Sequence, residues 1–224
     1  GIFEMPYIIQ DRDHMRRVQD AMMDKFQAAA NGAGYHIVGL AENGFRNITN
    51  NVRPINVPAD LEGVKLRTPN GVWRLKMFQQ YGANPTPMAF SDVFTALQTG
   101  VIDGQENPIV IIWASKIYEV QKYLSLTGHV YSPTLIMIND AYFQSMPADL
   151  QEIVVTAAKN AAAWNRQELE KMEVDLLAKL KDQGMEINDV NQEPFRKLMT
   201  SAWDQLLEKA PEAKVYLERI ENTQ

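Results

Sequence analysis

The chain has 224 residues, with 28 acidic side chains against 22 basic ones, a net charge of −6, three histidines and no cysteine. Without cysteine there is no disulfide, thiolate nucleophile or Cys-ligated zinc, and the acidic balance argues against a generic nucleic-acid binder, whose surface is basic. With 46% hydrophobic and 22% charged residues the sequence suits one large globular domain or two small lobes, and no run of 18 apolar residues is present to span a bilayer.

The opening, Gly-Ile-Phe-Glu-Met-Pro-Tyr over residues 1–7, lacks an initiator methionine and turns apolar at its second position. It reads as a fragment or a processed start. Asp11 or Asp13 then caps a helix whose Met15, Val18, Met22 and Phe26 share one face, and Asn31-Gly32-Ala33-Gly34 ends it. Tyr35 to Leu40 reads as a short strand. Between residues 44 and 132 short apolar runs alternate with helices. The pattern predicts a strand at 65–67 and a helix over 71–81 that Gly82 stops. A helix from Asp92 to Gln98 follows, capped by Ser91 and closed by Gly100, then a brief strand at 101–103 and a helix opened by Pro108. Val120–Leu126 and Val130–Ile138 are the strongest strand candidates, and Pro133 places the second at an edge or a bulge. Such alternation predicts an α/β lobe with a largely parallel sheet, though a hairpin-like pairing near Gly128 is compatible with it.

From Ser145 the pattern changes. Ser145 caps a helix, Pro147 falls in its first turn, and apolar residues recur at Leu150, Ile153, Ala157, Ala161 and Trp164. After a step of five they resume at Leu169, Met172, Leu176 and Leu180. Read as one helix, the segment has about 35 residues and spans about 50 Å. A coiled coil, or two helices broken at Gln167–Glu168, are the alternatives. Met185–Ile187 returns as a strand, and Pro194 opens the first of two closing helices.

No phosphate-binding glycine loop, HExxH or G-x-S-x-G occurs. His14, His36 and His129 are too dispersed for a His-rich metal centre. Asp103 and Glu106 would suit an acid–base pair or a solvated turn. The arginines say more: Arg46, Arg53, Arg67 and Arg74 fall between residues 46 and 74, and Arg67 stands where a strand runs into a loop. Loops of this kind collect ligands in α/β sheets, and a guanidinium takes a carboxylate through two parallel donors. Taken singly, each arginine is better explained by a surface salt bridge. The stretch from Phe90 to Pro108 sets Thr95, Gln98, Thr99, Gln105 and Asn107 among Gly100 and Gly104. Amides and hydroxyls without a strong nucleophile favour binding a polyhydroxylated or carboxylated solute over turning it over.

Ser91 to Pro108, Ser-Asp-Val-Phe-Thr-Ala-Leu-Gln-Thr-Gly-Val-Ile-Asp-Gly-Gln-Glu-Asn-Pro, closely resembles the signature of the DctP-type periplasmic solute-binding proteins. These serve the tripartite ATP-independent periplasmic (TRAP) transporters. Glu42 to Arg46, Gly63 to Asn70, Gly82 to Met88, Tyr118 to Tyr123 and Thr127 to Tyr131 agree with it in the family's order, so the likeness covers nearly the whole chain.

The resemblance implies an α/β, two-lobed, periplasmic-binding-protein-like clamshell with one long helix spanning both lobes. The ligand would be a C4-dicarboxylate, a sugar acid or a small keto or hydroxy acid, received in the periplasm and handed to TRAP membrane permease subunits. No cofactor, metal, nucleic acid or catalysis is expected; an enzyme acting on a sugar acid or hydroxy acid is the alternative. Residue by residue, the resemblance makes Arg67 the partner of the substrate carboxylate and Arg46 a second arginine at the ligand. Asn70 and Asn107 become amide contacts, Phe90 the aromatic wall, and Glu106 a participant from behind or through water. Thr134 falls where members vary with their substrate, Trp73 lines the pocket or the core, and His129 braces its strand turn. Against the family the chain is shorter at its start by about 75 to 80 residues, so the first lobe is expected to be incomplete. Residues 1–43 plus 133–172 would be its remnant and 44–132 plus 173–224 the second lobe, with the cleft between them. A bared sheet edge would permit self-association.

Overall fold

The computed structural model describes residues 2–209 and 213–223. Gly1, on which the reading of the start partly rests, lies outside them. A 3-10 turn at Ile2–Glu4 leads to helix α1 (Arg12–Gly32). Asp11 is its N-cap, accepting from the His14 amide at 2.7 Å, and Gly34, at φ +83°, turns the chain out of the helix.

The strand expected to stop at Leu40 runs on as β1 (Tyr35–Asn50), and the two strands expected at 120–126 and 130–138 are one, β5 (Tyr123–Asn139). They pair antiparallel from Tyr35 opposite Asn139 to Asn50 opposite Tyr123. Glu42-Asn43-Gly44 forms a bulge: the register slips between Glu42 and Gly44, opposite Pro133 and Ser132, and Gly44 takes φ +102°. Pro133 thus sits where the ladder is already interrupted. Buried Glu42 keeps the strand going, because its carboxylate accepts from Arg12 at 2.7 Å and from the Tyr131 hydroxyl at 2.8 Å.

With β2 (Lys65–Thr68), β3 (Asn84–Pro87), β4 (Gly104–Pro108) and β6 (Glu186–Asp189), these form a six-stranded sheet in the order β3-β2-β4-β1-β5-β6. The sheet is mixed, not largely parallel. β1 is antiparallel to both β4 and β5, while β2–β3, β2–β4 and β5–β6 are parallel. The parallel trio β3-β2-β4 is joined through helices α2 (Val72–Gln80) and α3 (Phe90–Gln98), as parallel crossovers require. Helix α2 packs with α7 (Glu193–Lys209) over one apolar cluster that includes Ile48, Leu66, Phe78, Val130 and Phe195.

Two helix starts differ from expectation. α3 begins at Phe90 with Ala89 as N-cap, and the Ser91 hydroxyl turns to Asp92 instead of capping. Ser145 ends helix α5 (Asp140–Ser145), bonding back to the Tyr142 carbonyl, and Pro147 precedes α6 (Ala148–Asp182). The strand expected at 101–103 is a bend, and pairing starts at Gly104.

The long helix is a single one. α6 has 35 residues and passes through Gln167–Glu168 unbroken. It approaches β1 so closely that a Cβ at Gly39 would lie 2.9 Å from the Ala158 carbonyl oxygen. Farther along, Glu173 meets Arg12 at 2.9 Å, and Leu176 and Leu180 join a cluster with Val93, Leu124 and Ile112 of α4 (Ile109–Ala114). The apolar stripe was only partly informative. Ala162, Leu176 and Leu180 are buried, whereas Leu150, Ile153, Trp164 and Met172 are exposed. Contact made through backbone and alanines leaves the larger side chains outside. The chain closes with α8 (Ala213–Glu221), whose Leu217 and Ile220 pack on α1.

Gly104 tests the seam between β4 and β1. A Cβ there would stand 2.3 Å from the Thr49 carbonyl oxygen and 2.8 Å from the Asn50 Cβ. Gly104→Ala should therefore cost about 2 to 3 kcal/mol, read as a lowered urea midpoint at unchanged slope. A midpoint equal to wild type would mean that the seam yields freely.

Candidate functional site

Four elements and the N-terminal turn meet around the carboxylate of Glu106. Antiparallel pairing sets Ile48 opposite Glu106 and Asn47 opposite Asn107, which brings Arg46 of β1 beside the end of β4. Arg46 donates Nε and Nη2 to the two carboxylate oxygens at 2.5 and 2.9 Å. Its Nη2 also reaches the Glu106 carbonyl at 2.6 Å and the Asn107 side-chain oxygen at 3.0 Å. Arg74 of α2 donates Nη1 to Glu106 at 2.7 Å, and its Nε and Nη2 go to Glu4 at 3.1 and 2.8 Å. His129 of β5 approaches Glu106 through Nε2 at 3.0 Å while its Nδ1 faces the Thr127 hydroxyl at 2.8 Å. A neutral ring protonated on Nε2 satisfies both contacts, donating to the carboxylate and accepting from the hydroxyl.

Glu106 and His129 are wholly buried, and Arg74 nearly so. Burial alone would raise the Glu106 pKa. Arg46 and Arg74, helped by hydrogen bonds from His129 and Arg46, outweigh it and hold the carboxyl well below the ordinary carboxylate range. For His129 burial wins: it lowers the pKa against the pull of Glu106 and keeps the imidazole neutral.

Arg67 stands near these charges without being bound to one. Its Nε and Nη2 donate to the Met88 carbonyl at 3.0 and 2.7 Å, and its guanidinium carbon lies 5.6 Å from the centre of the Phe90 ring. Burial lowers its pKa, Glu106 opposes that shift, and Arg46 and Arg74 add to it. Among the described residues no carboxylate comes within ion-pair distance of Arg67. The other edge of the guanidinium, Nη1 and the second hydrogen of Nη2, makes no hydrogen bond among the described residues. In general such an edge has the geometry to meet a carboxylate with two parallel donors.

A line of buried polar groups extends from the cluster. The Asn107 amide donates to Gln105 at 2.5 Å, Gln105 to Thr49 at 3.0 Å and Thr49 to Gln121 at 2.8 Å. These two amides of the signature therefore bond within the β4–β1 seam. Of the other expected site residues, Phe90 is 43% exposed beside Arg67, and Asn70 is exposed in the turn after β2. Trp73 packs against the cluster of Met5, Val18, Met22 and Leu217, with the Lys76 ammonium over its ring. Thr134 is exposed on β5 opposite Ala41. So Arg46, Glu106 and Asn107 form one bonded unit, Arg67 and Phe90 stand beside it, and Asn70, Trp73 and Thr134 lie apart from it. Asp103 does not pair with Glu106; it accepts from the Lys65 amide at 2.8 Å. Arg53 donates to the Asp60 and Glu62 carbonyls in an exposed loop. Among the described residues no helix is long and apolar enough to cross a membrane, and no cluster of His, Asp and Glu could hold a metal ion.

Sequence reasoning missed Arg74 and Glu4 as members of this unit. Arg74 reaches Glu106, and Glu4 reaches Arg74, from segments distant in sequence, and only the density of arginines between residues 46 and 74 hinted at the first.

The buried histidine sets a pH dependence. Above its ordinary pKa of 6.5 the ring is neutral in both folded and unfolded chains. Below that value the unfolded ring takes a proton before the folded one, so the unfolded state binds more protons and stability falls with pH, by up to about 1.4 kcal/mol per unit. The Glu106 contribution persists through this window, because its depressed pKa lies below it. Urea titrations between about pH 7.5 and 5.5 should show the loss, and His129→Gln should flatten it. An unchanged slope would assign the proton uptake to another group.

Residues 1–210 match the DctP family, bacterial extracellular solute-binding protein, family 7. The chain is 34% identical to the 2,3-diketo-L-gulonate-binding periplasmic protein YiaO of Escherichia coli, over 100% of this chain and 69% of that protein. It is 36% identical to the sialic acid-binding periplasmic protein SiaP of Vibrio cholerae, over 87% of this chain and 61% of that one. A solved TRAP periplasmic solute-binding protein from Roseobacter denitrificans, with bound β-D-glucuronate, superposes at a TM-score of 0.96 with 32% identity, over 100% of this chain and 74% of that one. The chain thus spans about two thirds of the named relatives, and its mixed α/β architecture is that of TRAP solute-binding proteins. By sequence and by fold, it belongs to the DctP family of bacterial extracellular solute-binding proteins.

Proposed function

We propose that the protein is a periplasmic receptor that binds an organic acid and delivers it to the permease of a TRAP transporter. The observation that carries this reading is Arg67, a largely buried cation steadied by one carbonyl and one aromatic ring, with an unused bidentate edge and no carboxylate of its own. An uncompensated guanidinium in such a place is stabilised by an incoming anion. The relatives support the same chemistry, since 2,3-diketogulonate, sialic acid and glucuronate in their names and titles are all sugar acids. Phe90 walls the site beside Arg67, and Glu106 acts by fixing Arg46 and Asn107. Asn70 and Thr134 are exposed and free to meet ligand hydroxyls; Trp73 serves packing. Residues 1–43 with 133–172 and 44–132 with 173–224 act as two lobes that part at the Gly44–Pro133 bulge, with α6 running behind both. Glu106 and His129, the groups of the cluster that could act as nucleophile or base, are wholly buried and bonded to neighbours, which favours binding over turnover; conversion of a bound sugar acid at enzymatic rates, followed by mass, would overturn this.

Calorimetric titration with a sugar acid that raises the melting temperature tests the assignment. Arg67→Ala should lose about 2 to 5 kcal/mol of binding, roughly 30-fold to several thousand-fold in affinity, and Arg67→Lys should recover only part of it. Arg53→Ala should change binding by less than about 0.5 kcal/mol. Near-normal binding by Arg67→Ala, with loss in Arg53→Ala, would move the carboxylate site elsewhere.

A further inference from the structure

The charges around Arg67 can be counted. β2 lies beside β4 with Leu66 opposite Gly104, which sets Arg67 next to the strand whose Glu106 holds Arg46 and Arg74, and those two guanidiniums depress the Arg67 pKa. Two carboxylates answer the three guanidiniums: Glu106, shared between Arg46 and Arg74, and Glu4, which pairs with Arg74 alone. His129 is neutral. Among the described residues the cluster is therefore left with one net positive charge, and Arg67 is the arginine without a partner.

The two carboxylates are not equivalent. Glu106 is buried and receives three side chains, so removing it would dismantle the cluster. The Glu4 side chain is 41% exposed, comes from the 3-10 turn at Ile2–Glu4, and among the described residues accepts hydrogen bonds from the Nε–Nη2 edge of Arg74 alone. Without it Arg74 keeps its 2.7 Å bond to Glu106. What changes is the charge of the site.

We propose that Glu4 is a specificity-determining residue: by neutralising Arg74 it holds the site at a single positive charge, so that the receptor selects an acid with one carboxylate over a dicarboxylate of the same size. The proposal rests on the reading of Arg67 as the carboxylate site, and it removes C4-dicarboxylates from the candidate ligands. A monoanion cancels the charge of the cluster. A dianion carries a second charge out of water and finds no counter-charge for it. If Glu4 lost its charge, the field at the ligand would rise for both acids, but the dianion would feel it twice. The ratio of affinities would then move toward the dianion by one charge–charge interaction, about tenfold for charges some 10 Å apart at an effective dielectric of about 20.

Gluconate and glucarate test this, because they share an open six-carbon chain and differ only in the second terminal carboxylate; 4-hydroxybutyrate and succinate form a shorter pair. Calorimetric titration of the full-length protein should show wild type favouring the monocarboxylate by about tenfold or more. Glu4→Gln should shrink that ratio about tenfold while still binding the monocarboxylate, and Glu4→Asp, which keeps the charge, should retain the wild-type ratio. A purely structural role for Glu4 would weaken both acids of a pair equally, and that result overturns the proposal. So does a wild type that favours the dicarboxylate, whichever variants fold. If no acid of either pair binds wild type, the reading of Arg67 fails as well, and the two failures are told apart by that outcome.

Discussion

A carboxylate with no access to water governs the arrangement. Glu106 is ionised inside the protein because Arg46, Arg74 and His129 converge on it, and each comes from a different part of the chain. β1, α2 and β5 must all reach their native positions before that charge is tolerable, since an unpaired buried carboxylate costs several kcal/mol. Replacing such a cluster with apolar side chains of equal volume is often neutral or favourable for stability. Its value here is positional. It fixes Arg46 and Asn107, while Arg67 rests on the Met88 carbonyl and, among the described residues, has no carboxylate partner.

The same physics operates a few residues earlier in β1. Glu42 is buried with Arg12 and Tyr131, its amide donates to Asn165, and Arg12 extends to Glu173 on α6. Burial and the neighbouring Glu42 push the Tyr131 hydroxyl pKa up, so the phenol stays protonated and serves as a donor. One strand thus presents a buried carboxylate at its bulge and, four residues on, an arginine to a second buried carboxylate. The bulge at Gly44 separates the two. Ion pairs anchored on either side of an irregular point in a strand define the geometry of each side independently, while the irregular point takes up any angle between them.

The parts of the fold that were legible in sequence are those set by neighbours along the chain. The Asp11 cap, the glycine stops at Gly34 and Gly82, the helix after Pro108 and the length of α6 all follow from local spacing. The strands were harder, because their limits depend on partners. β1 continues past an acidic, glycine-containing stretch in which Arg12 neutralises Glu42 and Tyr131 donates to it, both distant in sequence. The exposed Ile153 and Trp164 show the opposite limit: periodicity marks an apolar face but not what lies against it. Of the site, the arginines and the signature carrying Glu106 and Asn107 could be read through family likeness. The Glu4–Arg74–Glu106 chain could not, since no spacing rule relates residues 4, 74 and 106.

The bonds to Glu106 also enclose it. Oε2 meets Arg46 Nε, Arg74 Nη1 and His129 Nε2, Oε1 meets Arg46 Nη2, and the side chain has no exposed surface. A water molecule seeking an acceptor there would first have to displace one of the side chains that cover it. The parts of the cluster are ordered before any solute arrives. On the receptor reading proposed above, Arg46 and Asn107 would lose little further entropy at capture, because folding has already fixed them.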